Sequence, residues 1–259
     1  MLQDFERVRY RNAPVIEVIC QLRFPTILSI GTKEPAEFQD LIRKTFPRYS
    51  KKMAKQPPKV MNGPNGVKVE QQPDEVNYHF ISADNKWKVN LTTGFIAVST
   101  TAYTTWEEFA GKLDEALVCF IKVYEPAFFE RIGLRYINAI SRKELDVEEI
   151  PFADLIQPAY LGLMAEEDVN ERAFVSAAQN VLVKLPGGCS LKLHCGPGMI
   201  KRGDVPDNET KFILDIDVFM EGNVEMKHSA GALNTVHINA NRIFRNAITK
   251  TLHNAMDPI

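Results

Sequence analysis

The chain has 259 residues, 45% hydrophobic and 25% charged, a balance that excludes disorder along most of its length. Lys and Arg number 31 against 33 Asp and Glu, and the net charge of -2 argues against coating nucleic acid through bulk charge. There is no apolar run of membrane-spanning length and no basic start followed by an apolar stretch. A cytoplasmic protein with no membrane partner is therefore expected, with reduced thiols at Cys20, Cys119, Cys189 and Cys195.

PVIEVICQLRF (14–24) alternates with a two-residue period and predicts a strand. Ile16, Val18, Cys20, Leu22 and Phe24 fall on one face, with Glu17, Gln21 and Arg23 on the other. Pro35 and Ala36 start a helix in which Phe38, Leu41, Ile42 and Phe46 share a side, and Pro47 ends it. Residues 50–75 are rich in Lys, Pro, Asn and Gly and read as a long mobile loop, with a short strand near Val67–Val69. Strands follow around Val76–Ser82, Lys86–Leu91 and Phe95–Thr101, turned by Asp84-Asn85 and Thr93-Gly94. Thr105 and Glu108 then make a capping-box start for a helix with Phe109, Leu113, Leu117, Phe120 and Ile121 as its apolar stripe.

In the second half, RIGLRYINAI (131–140) reads as a strand and residues 151–161 as a short helix. A long strand is expected over Phe174–Leu185, turned by Pro186-Gly187-Gly188 into SLKLHC (190–195). KFILDIDVF (211–219) is the next strand, and a single last helix is expected over about Asn234–Met256. Both halves thus read strand, helix, three strands, long helix. The fold class is α+β: a duplicated unit, residues 1–127 and 128–259, packed as one compact body of antiparallel sheet with helices on one face. The plan resembles the saddle-shaped TATA-binding-protein class or the helix-grip class.

Three segments carry a further resemblance: PVIEVICQLRF (14–24), FFERIGLRYIN (128–138) and NRIFRNAITKTL (241–252). Together they resemble a sporadically distributed bacterial family of about 260-residue proteins with no established function. The resemblance implies a prokaryotic source and an accessory or defence-type genomic setting. It assigns no catalytic residue.

Catalytic signatures are sparse. The chain lacks a Walker loop, GxGxxG between strand and helix, GxSxG, CxxC and HExxH. Cys189 and Cys195 share a strand face about 20 Å apart, too far for one zinc, and His237 and His253 are expected at the surface. No metal or cofactor is expected. Asp215 and Asp217 share a strand face at a spacing of about 6.5–7 Å, suited to a Mg²⁺ ion or to an ordinary solvated face.

The polar strand faces yield the candidate surface. Glu17, Gln21, Arg23, Arg131, Arg135, Asp215 and Asp217 are expected on an uncovered sheet face, where Glu17, Arg23 and Arg135 would meet. The preferred expectation is a non-catalytic binding module with another protein as partner. Two alternatives stand beside it. One is a nucleic-acid or nucleotide binder using the basic 43–68 segment, notably Lys51, Lys52, Lys55 and Lys59. The other is a metal-dependent enzyme using the sheet-face carboxylates.

Overall fold

A computed structural model describes residues 3–54, 59–63, 66–70, 74–202 and 205–259. The alternation at the start forms strand β1 (Val15–Arg23), with Val18, Cys20 and Leu22 buried. Two short helices follow, α1 (Leu28–Thr32) and α2 (Ala36–Ile42). Helix α2 stops at Ile42, short of the expected Phe46, although the Phe46 N–H still donates to the Ile42 carbonyl at 2.9 Å. Phe46 is buried all the same.

The loop expected over 50–75 is the largest departure from the sequence reading. Strand β2 (Arg48–Ala54) occupies its start, and β3 (Lys59–Gly63) and β4 (Gly66–Glu70) pair as a hairpin. Residues 55–58, 64–65 and 71–73 of that stretch lie outside the described residues. Strand β2 has weak strand character of its own. It is zipped by tertiary pairing to β5 (Glu75–Ile81), in a register running from Arg48 opposite Ile81 to Ala54 opposite Glu75.

Strands β6 (Trp87–Leu91) and β7 (Phe95–Thr100) come next, each antiparallel to the one before. Helix α3 (Trp106–Tyr124) starts where Thr105 accepts the Glu108 backbone N–H, and it ends at Glu125 in left-handed backbone. Strand β8 is Phe129–Ile140, and α4 is Phe152–Leu155. Strand β9 (Gln179–Lys184) begins five residues later than expected, after a single 3-10 turn at Glu171–Ala173 capped by Asn170. Gly187 and Gly188, both at φ +77, turn the chain into β10 (Cys189–Gly198). Short strands β11 (Lys201–Arg202) and β12 (Val205–Pro206) precede β13 (Lys211–Val224).

The single last helix expected over 234–256 is two helices, α5 (Ser229–Ala247) and α6 (Lys250–Ala255). Ile248 between them is extended and forms a β-bridge with Ile156. Its neighbours complete the join: Gln157 N–H donates to the Ala247 carbonyl at 2.8 Å, and Thr249 N–H to the Leu155 carbonyl at 3.0 Å. Thr249 then caps α6 by accepting the Leu252 N–H. Periodicity alone runs straight through such a break.

The fold is α+β. Nine strands hydrogen-bond in one sheet, in the order β2-β5-β6-β7-β1-β8-β13-β10-β9. The chain forms two compact units. The first comprises Cys20–Arg131 and Asn223–Met226, and the second comprises Met1–Ile19, Ile132–Gly222 and Lys227–Ile259.

In the first unit one sheet face is apolar, carrying Tyr78, Phe80, Trp87, Val89, Leu91, Ile96 and Val98. Helix α2 brings Phe38 edge-on to Phe80, with centroids 5.2 Å apart, and α3 brings Phe109 against Trp87 at 5.8 Å. Phe120 of α3 lies 4.8 Å from Phe24. Each such ring contributes about 1.5–3 kcal/mol through burial.

In the second unit α5 buries Ala232, Val236, His237, Ala240, Ile243 and Ala247, while the Phe152 ring lies tilted against Phe212 with centroids 5.6 Å apart. Here the two ends of the described chain run side by side. Arg11 N–H donates to the Asp257 carbonyl at 2.9 Å, and Ile259 N–H to the Arg9 carbonyl at 3.0 Å. Tyr10 and Pro258 pair between them. Among the described residues no helix is long and apolar enough to cross a membrane.

Candidate functional site: the polar sheet face

Strand alternation that buries one set of side chains must turn the other set outward. On β13, Phe212, Leu214, Ile216 and Val218 are buried, which sends Asp215 and Asp217 to the opposite face. On β8 the same rule buries Leu134 and Tyr136 and leaves Arg135 exposed. The polar face of the second unit is therefore built from Glu17, Arg135, Asp215 and Asp217, with Lys192 opposite Asp217 and His194 opposite Asp215 on β10.

Arg135 is the centre of this cluster. Its Nε and Nη2 donate to the two carboxylate oxygens of Asp215 at 2.7 and 2.5 Å. That bond raises the Arg135 pKa above its usual value despite partial burial, and Asp215, Asp217 and Glu17 add charge attraction in the same direction. Three carboxylates thus act on one guanidinium. His194 adds a polar contact on the same strand face, its Nδ1 lying 2.9 Å from the Asn180 Oδ1.

Of the residues expected to meet, Glu17 and Arg135 lie close enough to interact, but the partner that clasps Arg135 is Asp215. Asp215 is consequently occupied by an arginine rather than open to a cation. Among the described residues no group of three or more His, Cys, Asp or Glu is arranged to hold a metal ion. Arg23 belongs to the first unit, exposed at the end of β1. Gln21 and Arg131 meet there, the guanidinium Nη1 donating to the Gln21 Oε1 at 3.4 Å.

The first unit has a polar face of different charge. Ser50 lies opposite His79, and His79 opposite Asn90. Arg48 lies opposite Ile81, and Ile81 opposite Lys88. Lys52 stands on this face opposite Asn77, whose side chain accepts a hydrogen bond from Asn90 at 3.1 Å. Burial, then the charges of Lys88 and Lys52, hold His79 below its ordinary pKa. The expected lysine cluster is split by the strand. Lys51 points to the opposite side from Lys52 and pairs with Glu34 at 2.9 Å, and Tyr49 also donates to Glu34. Lys59 begins β3 opposite Glu70, and Lys55 lies outside the described residues.

Three polar constellations escaped the sequence reading. His237, expected at the surface, is buried at 4% exposure, with its Nδ1 2.9 Å from the Tyr136 hydroxyl and its Nε2 3.1 Å from Asn241. The i, i+4 spacing of His237 and Asn241 was the one available signal. His253 is also engaged, its Nδ1 2.7 Å from the Tyr10 hydroxyl and taking a hydrogen bond from Arg245. Lys211, with a 5% exposed side chain, is held by Asp207 at 2.8 Å and Glu144 at 3.2 Å, with Glu209 at 3.7 Å. Burial works against its charge, and these carboxylates more than offset that, so its pKa is raised.

The buried thiols are unreactive in character. Burial pushes Cys195 up to about 11 and raises Cys189 as well.

No family model matches this chain, and no curated protein is similar to it. Its functional reading therefore rests on the geometry of its own residues.

Proposed function

We propose that the chain is a non-catalytic binding module with a protein partner, working in the cytoplasm as part of a bacterial accessory system of the defence type. The contact surface is the polar sheet face of the second unit. The observation that carries this reading is the Arg135 cluster. Asp215 clasps the guanidinium, and the charges of Asp217 and Glu17 act on it, on a face built outward by strand alternation. Carboxylates interleaved with Arg135 and Lys192 favour a partner surface of mixed charge, since they would repel a polyanion.

The same proposal extends to the plan of the chain, as two copies of one unit over 1–127 and 128–259, of TATA-binding-protein-like or helix-grip-like type. Strand order supports it. Outward from β1 run β7, β6 and β5, and outward from β8 run β13, β10 and β9, with the long helices α3 and α5 following β7 and β13, the innermost strand of each series.

The test is recovery of partner proteins from lysate of the source cells on tagged wild type, Arg135→Ala, and Arg23→Ala. Loss of a specific partner with Arg135→Ala, at unchanged circular dichroism, supports the reading. Recovery equal to wild type with Arg135→Ala overturns it, whatever Arg23→Ala does in the first unit.

A second reading has its own observation. The polar face of the first unit carries Arg23, Arg48, Lys52 and Lys88, and His79 is held below its ordinary pKa by burial first and then by Lys88 and Lys52. Such a face suits a nucleic-acid or nucleotide phosphate. Filter binding that shows no salt-dependent retention of DNA or RNA disposes of it.

A further inference from the structure

The two terminal strands of the sheet differ in how their edges are defended. Terminal strands present a row of backbone N–H and C=O groups, and proteins blunt them with charge, proline or a covering segment. Strand β2, at one end, carries Arg48, Lys51 and Lys52 within seven residues. Strand β9, at the other end, reads Gln-Asn-Val-Leu-Val-Lys, and its single charge stands at its last residue. Val181, Leu182 and Val183 at its centre are 38%, 72% and 43% exposed.

Hydrogen-bond alternation fixes which backbone groups face outward. Leu185 N–H donates to the Cys189 carbonyl at 2.8 Å, so this pair is a hydrogen-bonded one. The register continues with Val183 opposite Leu191, Val181 opposite Leu193 and Gln179 opposite Cys195. Alternate residues of an antiparallel ladder bond to the same neighbour. Val183, Val181 and Gln179 therefore bond to β10, while Asn180, Leu182 and Lys184 turn N–H and C=O to the open side.

We propose that β9 pairs with β9 of a second copy of this chain, antiparallel about a two-fold axis at Leu182. The occupant is argued from self-complementarity. With Leu182 opposite its symmetry mate, Val181 falls opposite Val183 and Asn180 opposite Lys184, so no like charges face each other. The outward-facing residues Asn180, Leu182 and Lys184 are the ones that become hydrogen-bonded pairs in this register. Slipping by one residue would set Lys184 against Val181 and Val183 against Leu182, so that residues already bonded to β10 would face open-side ones. An isologous contact of this kind closes on itself and gives a dimer rather than a fibre.

The side-chain faces also match. Asn180 shares the polar face with His194, and Leu182 lies opposite Lys192 on that face. Val181 and Val183 lie opposite Leu193 and Leu191 on the apolar face. A two-fold perpendicular to the sheet keeps both relations, so the polar faces of two copies adjoin on one side.

The experiment is sedimentation velocity of the whole chain across a dilution series, for wild type, Leu182→Lys, Leu182→Glu, and an equimolar mixture of the two variants. Wild type is expected to show reversible dimerisation. Each variant alone is expected to self-associate about tenfold more weakly or worse, because like charges stand opposite at the axis. The mixture is expected to recover the dimer, because Leu182→Lys then faces Leu182→Glu. Leu182 is exposed, so both variants should melt as the wild-type monomer does. Three results would overturn the proposal: a wild type monomeric throughout, a dimer undiminished in both variants, or a mixture no more associated than its components.

Discussion

Arg135 and Asp215 form a two-pronged pair on the polar sheet face, with the arginine side chain 44% exposed and the aspartate only 14%. The asymmetry decides which partner is missed more. Removing Arg135 strands a mostly covered carboxylate, whereas removing Asp215 releases a guanidinium that reaches water. Arg135→Ala is expected to cost about 1–2 kcal/mol and Asp215→Ala less, with a coupling energy of about 0.5–1 kcal/mol after solvent screening. Urea titration of the two single variants and the double variant measures all three. A coupling indistinguishable from zero would show the pair to be ornamental.

Phe120 stands fully buried on α3 against Phe24. Phe120→Ala should lower stability by about 3–5 kcal/mol, combining lost burial with a residual cavity. Exposed Val118 on the same helix provides the control, since Val118→Ala should change the melting temperature little.

Acid should loosen the protein through its histidines. Burial, then the nearby Arg245, sets the His253 pKa below the ordinary 6.5. Arg245 can only donate, so it requires the unprotonated Nδ1 as acceptor. Between the depressed folded value and 6.5 the unfolded chain binds more protons, so stability rises with pH through that window. It is lost as pH falls through 6.5 toward the depressed folded value, and His79 acts in the same direction. Melting curves across that range should flatten in His79→Gln and His253→Gln combined. A slope identical to wild type would refute the assignment.

Gly196 sits at φ +152, where an added Cβ would lie 2.3 Å from the Ala177 carbonyl oxygen. Gly196→Ala should therefore cost more than about 1 kcal/mol and should raise amide exchange along β9 and β10 together. Gly111, with open space around it in α3, should accept alanine without loss.

Legibility followed the periodicity. Strand β1, strands β5 to β7 and helix α3 lie where alternation and the Thr105 cap put them, because in each the local pattern agrees with tertiary packing. Strand β2 did not announce itself, since Arg48, Lys51 and Lys52 gain their strand from pairing with β5. The break at Ile248 was equally hidden: its cause is a bridge to Ile156, 92 positions earlier in the chain. On the candidate face, β13 placed Asp215 and Asp217 correctly on one side, but the sequence could not say which carboxylate would take Arg135. That choice depends on register between strands about eighty residues apart along the chain.

Arg9 and Ile259, joined through a backbone hydrogen bond, carry a consequence for chain connectivity. With residues 9 and 259 in contact, a short linker could close the ring, and new termini could open elsewhere, for instance at the Asp84-Asn85 turn between β5 and β6. A circularly permuted chain of that design would begin in the middle of the present sequence while keeping the strand order of its sheet. The architecture is set by which strands adjoin, and the present starting point is one of several that the same contacts would tolerate.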